Sequence, residues 1–233
     1  MTQRREVIRA NLVVVRERIS AACTHAGRSP DEVTMVVVTK FFPASDVHLL
    51  AELGVREVGE NRHQEAEAKA AECADLGLVW HFIGNLQSNK AAAVATYADV
   101  VESVDRTKLL EPLNRGAHQR GRDLDCLLQV SLDEAGQTGR SGIRADRVTE
   151  LAERVLQVGA LRLRGVMGVA PLGQPAAPAF ARLAAVAADV RRIAPDATWV
   201  SAGMSADLEE AVKHGATHVR IGSAVLGPRP SIK

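Results

Sequence analysis

The sequence is short of cysteine, tyrosine, unbalanced charge and long apolar runs, and each shortage closes off a class of function. Its three cysteines, Cys23, Cys73 and Cys126, are scattered and form no CxxC pair. An odd number of widely spaced thiols reads as reduced core or surface residues of a cytosolic protein, so a cytoplasmic location is expected. Basic residues number 29 and acidic residues 28. That balance argues against bulk electrostatic capture of nucleic acid, and no nucleic-acid partner is expected. The longest aliphatic runs, such as Met35-Val36-Val37-Val38, fall far short of a bilayer's thickness, so no membrane partner is expected. Met1-Thr2-Gln3-Arg4-Arg5-Glu6 is charged and leads into a polar-interrupted helical pattern, without the apolar core of a secretory signal.

What is present is a regular alternation. Val7, Ile8, Leu12, Val15 and Ile19 have helical spacing and predict a helix over 4–26, stopped by Gly27, Ser29 and Pro30. Strands are predicted at 33–39, 55–58, 79–83, 100–104, 124–130 and 161–166, then around Trp199 and Val219. Helices are predicted between them: 45–53, a Glu-, Ala- and Lys-rich stretch opened by Asn61, 87–97, 106–119, one ending near Val158, 176–193 and 206–214. A polar loop covers 133–142. Strands that are aliphatic throughout suit a parallel sheet covered on both faces. Eight such units at this length predict an α/β protein, a single (β/α)8 TIM barrel with an extra N-terminal helix. An open doubly wound sheet would want a glycine-rich fingerprint after its first strand, and none is there.

Two turns at the C-terminal end carry the chemistry. Trp199-Val200-Ser201-Ala202-Gly203-Met204-Ser205 and Thr217-His218-Val219-Arg220-Ile221-Gly222-Ser223 each run from a short apolar strand into a turn of Gly and Ser. Glycine lets the backbone approach an oxyanion, serine adds a hydroxyl, and a helix start adds free N–H groups. In a barrel these turns follow strands seven and eight, where phosphates often bind. Arg220 is a cation inside an apolar strand, and burying it requires a partner. Lys40 ends the first strand, which closes the barrel beside the eighth. A partly desolvated lysine beside a phosphate cradle suggests a Schiff base with a phosphorylated aldehyde, either pyridoxal 5′-phosphate (PLP) or a sugar phosphate.

The chain resembles, over nearly its full length, the YggS/PROSC family of PLP-binding, PLP-homeostasis proteins. The segments that carry the likeness are Val37-Val38-Thr39-Lys40, Val58-Gly59-Glu60-Asn61 with Gln64-Glu65, Trp80-His81-Phe82-Ile83-Gly84-Asn85-Leu86-Gln87-Ser88-Asn89-Lys90, Gly203-Met204-Ser205 with Asp207, and Val219-Arg220-Ile221-Gly222-Ser223. The resemblance implies that residues 1–233 form one alanine-racemase-like barrel domain holding PLP covalently on Lys40. It also implies that Ser201, Gly203, Met204, Ser205, Gly222 and Ser223 surround the phosphate, with Asn61 and Arg220 near the pyridine ring. No catalytic residue and no metal ligand is expected. Arg140 stands where the family often has Lys.

Arg220 would discriminate among PLP chemistries. A carboxylate beside the pyridine nitrogen keeps it protonated, whereas an arginine cannot take up that proton. Racemisation needs acid/base groups on both faces of the substrate carbon. The chain has one tyrosine, Tyr97, expected at the barrel end away from the site. The expected role is therefore a non-catalytic carrier delivering PLP to apo PLP-dependent enzymes; a monomer is expected. A slow PLP-dependent racemase or decarboxylase is the alternative. His81 reads as a satisfied core histidine, Glu60 as a mouth residue, and Glu65, Glu67, Lys69 and Glu72 as a solvated helix face.

Overall fold

Eight parallel strands close on themselves in sequence order, each hydrogen-bonded to the next and the eighth to the first. The computed structural model describes residues 2–133 and 141–228; Arg140 and most of the 133–142 loop lie outside them. The strands are β1 (Thr34–Val38), β2 (Glu57–Glu60), β3 (Val79–Phe82), β4 (Val100–Val104), β5 (Leu124–Val130), β6 (Leu161–Gly168), β7 (Trp199–Ser201) and β8 (His218–Ile221). Around them run α1 (Thr2–His25), α2 (Ala44–Glu52), α3 (His63–Glu72), α4 (Ser88–Tyr97), α5 (Leu110–Arg120), α6 (Val148–Leu156), α7 (Ala176–Ile193), α8 (Leu208–Lys213) and α9 (Ser223–Leu226). The TIM barrel with an added N-terminal helix is thus as expected.

The aliphatic strands are covered on both sides, as their composition required. Val36, Val37, Val100, Val101, Leu127, Leu128, Val219 and Ile221 are all buried, some against the helices and some inside the barrel. Closure is set by β1 against β8, with Val36 opposite Arg220 and Val37 opposite Ile221. This register brings the end of the first strand beside the turn after the last.

Several element boundaries differ from expectation. β2 covers Glu57–Glu60 rather than 55–58, because Gly59 and Glu60 continue the ladder inside the barrel wall. Residues 223–226, expected as a turn, form α9, and α8 is shorter than the predicted 206–214.

The first helix is fastened to the last two. Ile8, Leu12, Val15 and Ile19 form its buried face. Arg18 donates to Ser205 O at 3.0 Å, Asn11 to Val225 O at 2.9 Å and Arg4 to Leu226 O at 2.9 Å. These bonds tie α1 to the turn before α8 and to α9. Among the described residues no helix is long and apolar enough to cross a membrane.

Candidate functional site

A cavity of about 300 Å³ opens at the C-terminal ends of β1, β7 and β8. Lys40, Met204, Ser205, Arg220, Gly222 and Ser223 line it, with Val38, Phe42 and Ile83 supplying apolar walls. Six of the nine residues singled out from sequence therefore meet in one space. Its described lining holds two cations and no carboxylate, a composition suited to an anion carrying an apolar ring.

The turns are built differently from one another. After β7, Gly203 adopts φ +89°, and a Cβ there would lie 2.6 Å from the Ala211 Cβ. Only glycine lets α8 pack this close to the turn. The Met204 N–H donates to Asp207 Oδ1 at 2.6 Å, so this amide is already committed. After β8, Gly222 caps α9, whose first amides at Ser223 and Ala224 have no intrahelical partner, as at any helix start.

Three of the nine lie elsewhere. Gly203 shapes the turn without lining the cavity. Asn61 follows β2, and Gly84 presses against its backbone so closely that a Cβ would fall 2.1 Å from Asn61 O. The Asn61 side-chain oxygen is buried without a hydrogen bond. Ser201 departs from the expected phosphate contact: it is wholly buried inside the barrel. Its hydroxyl donates to Glu102 Oε2 at 2.6 Å and accepts from Arg220 Nη1 at 2.6 Å.

That pair of bonds belongs to a buried polar chain through the barrel. Arg220 also donates to Gly168 O at 2.9 Å and stands 3.6 Å from Glu102. Glu102 Oε1 lies 2.8 Å from His81 Nδ1, and His81 Nε2 lies 2.8 Å from Glu57. His81 is thus the satisfied core histidine expected. Glu102 is the partner that Arg220 required, and sequence reading passed over it. The signal was there: a lone acid in Val100-Val101-Glu102-Ser103-Val104 mirrors a lone base in β8.

The chain has a pH signature. Burial works to discharge His81, but Glu102 and Glu57 override it and push its pKa up to about 9. Burial would raise Glu102, but His81 and Arg220 bring it down to about 2. Burial takes His218 down to about 4. His81 adds stability that is whole below its ordinary 6.5 and is lost as pH climbs through 9. His218 resists a proton that the unfolded chain accepts, so stability falls from pH 6.5 towards 4. Glu102 adds a further loss between 4.5 and 2. Urea midpoints are therefore expected to peak near pH 6.5, each group contributing a slope of about 1.4 kcal/mol per pH unit inside its window. A flat profile between pH 5 and 9 would contradict this.

One expectation about α3 is corrected. Lys69 does not face solvent, and Glu65 is half-buried. Lys69 is 6% exposed and donates to Glu60 at 2.5 Å, Glu65 at 3.1 Å and Thr39 O at 3.0 Å. Tyr97 is the last residue of α4, just before β4; its ring stacks on His63 at 5.9 Å, with its hydroxyl buried and without a hydrogen bond. It does not line the cavity.

The fold and mouth define a class. The family model for the alanine racemase N-terminal domain matches residues 8–230. Within that class the chain belongs to the YggS/PROSC family of pyridoxal phosphate homeostasis proteins. It is 43% identical over 237 residues to the pyridoxal phosphate homeostasis protein of Mycobacterium tuberculosis H37Rv, covering 94% of this chain and 91% of that one. The namesake from Escherichia coli K12 is 39% identical over 225 residues, covering 94% and 95%. Among solved structures, PipY of Synechococcus elongatus with PLP bound superposes with a TM-score of 0.80 at 34% identity, covering 94% of this chain and all of that one.

Proposed function

We propose that the protein holds PLP in the mouth cavity, covalently through Lys40, and serves to store and deliver it rather than to turn over amino acids. The observation that carries this is the union of Lys40, Arg220 and the two Gly-Ser turns in one cavity without a lining carboxylate. The family relationship and the PLP-bound PipY support the same ligand. The residues fit it: a phosphate suits Ser205, Ser223 and the start of α9, and an apolar ring suits Val38, Phe42 and Ile83.

When bound, PLP supplies an aldehyde that condenses with amines and a ring that withdraws electrons from them. Lys40 offers the amine. Ser205 and Ser223 offer hydroxyls to the anion, and the apolar walls exclude water. Arg220 stays charged and takes up no proton. Lys40 is the one amine among the described lining residues. Tyr97 does not line the cavity and His81 is held by Glu102 and Glu57, which supports a carrier over a racemase.

The deciding experiment follows proton–deuterium exchange at the α-carbon of alanine by NMR, with protein and excess PLP. Background-level exchange, together with transfer of bound PLP to an apo-enzyme, is expected. Exchange well above free PLP that disappears in Lys40→Ala would make the protein an enzyme. The hydroxyls have their own test. Ser205→Ala with Ser223→Ala is expected to weaken PLP retention more than pyridoxal retention, by roughly 1.5–3 kcal/mol per lost bond. Equal losses for the two ligands would remove the serines from the phosphate site.

A further inference from the structure

We infer that Lys69 is a positioning residue for Lys40, acting through a clamp on the turn that presents it. This deepens the proposed cofactor role and rests on it for its biological meaning. Lys40 and Phe41 are the central residues of a four-residue turn closed by the Phe42 N–H on Thr39 O at 3.0 Å. Phe41 adopts φ +71°, the one positive φ outside glycine among the described residues. Turns with a positive φ at that position ordinarily use Gly or Asn there. A bulky aromatic in this conformation persists only where its surroundings hold it.

The holding groups come from β2 and α3. Lys69 donates to Thr39 O at 3.0 Å, the same carbonyl that closes the turn. Glu65 Oε1 accepts the Phe41 N–H at 2.6 Å, and Glu60 Oε1 accepts the Thr39 hydroxyl at 2.6 Å. Lys69 bonds both carboxylates and keeps these two acids from repelling each other. Polar groups on either side of Lys40 are thereby fixed by one ion cluster in which Lys69 and Glu60 are buried and Glu65 is half-buried. Arg62 stands over the Phe41 ring at 5.1 Å. The cluster spends buried charge on three backbone and hydroxyl contacts around a single lysine.

The test compares wild type with Lys69→Met, Glu65→Leu and Glu65→Gln. The first readout needs no cofactor: hydrogen exchange at the Phe41 amide in PLP-stripped protein. Lys69→Met and Glu65→Leu are expected to speed it at least a hundredfold, while core amides of β5 keep wild-type protection. Glu65→Gln keeps an acceptor for that amide and is expected to restore most of the protection. The second readout is the rate at which borohydride-fixable PLP accumulates on Lys40, expected to fall tenfold or more with non-covalent PLP retention unchanged. Wild-type Phe41 exchange and wild-type trapping in both Lys69→Met and Glu65→Leu would overturn the inference. If Lys69→Met fails to fold, Glu65→Leu and its Gln counterpart decide alone. If even wild type fixes no PLP on Lys40, the cofactor reading fails, and the Phe41 amide still decides the clamp.

Discussion

Lys40→Met is expected to abolish borohydride-fixable PLP and the visible absorbance that goes with it. Lys40 is the one lysine lining the described cavity, set beside Arg220 and both Gly-Ser turns. Methionine keeps the length of the side chain and removes the amine, so the loss reports chemistry rather than packing. Weak, phosphate-directed binding is expected to remain through Ser205 and Ser223. Peptide mass mapping of the reduced wild-type protein is expected to find phosphopyridoxyl on Lys40. An adduct on another lysine, or an unchanged spectrum in Lys40→Met, would refute the assignment.

Glu102→Leu is expected to be the most damaging single change to stability. Glu102 is wholly buried and bonds both His81 and Ser201, with Arg220 at 3.6 Å. Removing the acid leaves Arg220 buried without its carboxylate and takes from His81 one of the two acids that hold its proton. Breaking a buried pair in this way costs about 3–5 kcal/mol. Urea unfolding at pH 6.5 measures it, and a cost below about 1 kcal/mol would show that the chain through the barrel is dispensable. Ser201→Ala removes only the hydroxyl between Glu102 and Arg220. It is expected to leave the preference for PLP over pyridoxal unchanged, unlike the Ser205 and Ser223 pair.

Much of the architecture was legible because each strand is a compact aliphatic run with a turn or helix signal behind it. Barrel closure then placed Lys40 beside Arg220 without any knowledge of side chains. What escaped notice was polar and interior. Lys69 reads as part of a solvated helix face, Glu60 as a mouth residue, and Glu102 draws no reading, because periodicity records only an element's own faces. Their burial follows from partners 9 to 118 positions distant in sequence. Ser201 was misplaced for a related reason. Its motif neighbours line the cavity, but a strand alternates its side chains, and Ser201 points into the barrel. α9 escaped because four residues after a glycine carry too little periodicity to separate a helix from a turn.

The fastening of α1 to the far end of the chain orders events during synthesis. Asn11 meets Val225 across 214 positions, and Arg4 meets Leu226 across 222. A ribosome adding roughly 5–20 residues per second leaves α1 without these partners for on the order of ten seconds or more. Throughout that interval the stripe of Ile8, Leu12, Val15 and Ile19 lacks its final cover. The mouth is equally late, since β8 must pair with β1 before Lys40 and Arg220 share a space. An unfinished chain therefore cannot sequester the small molecule, and ligand-driven stabilisation reaches only molecules whose last strand has docked.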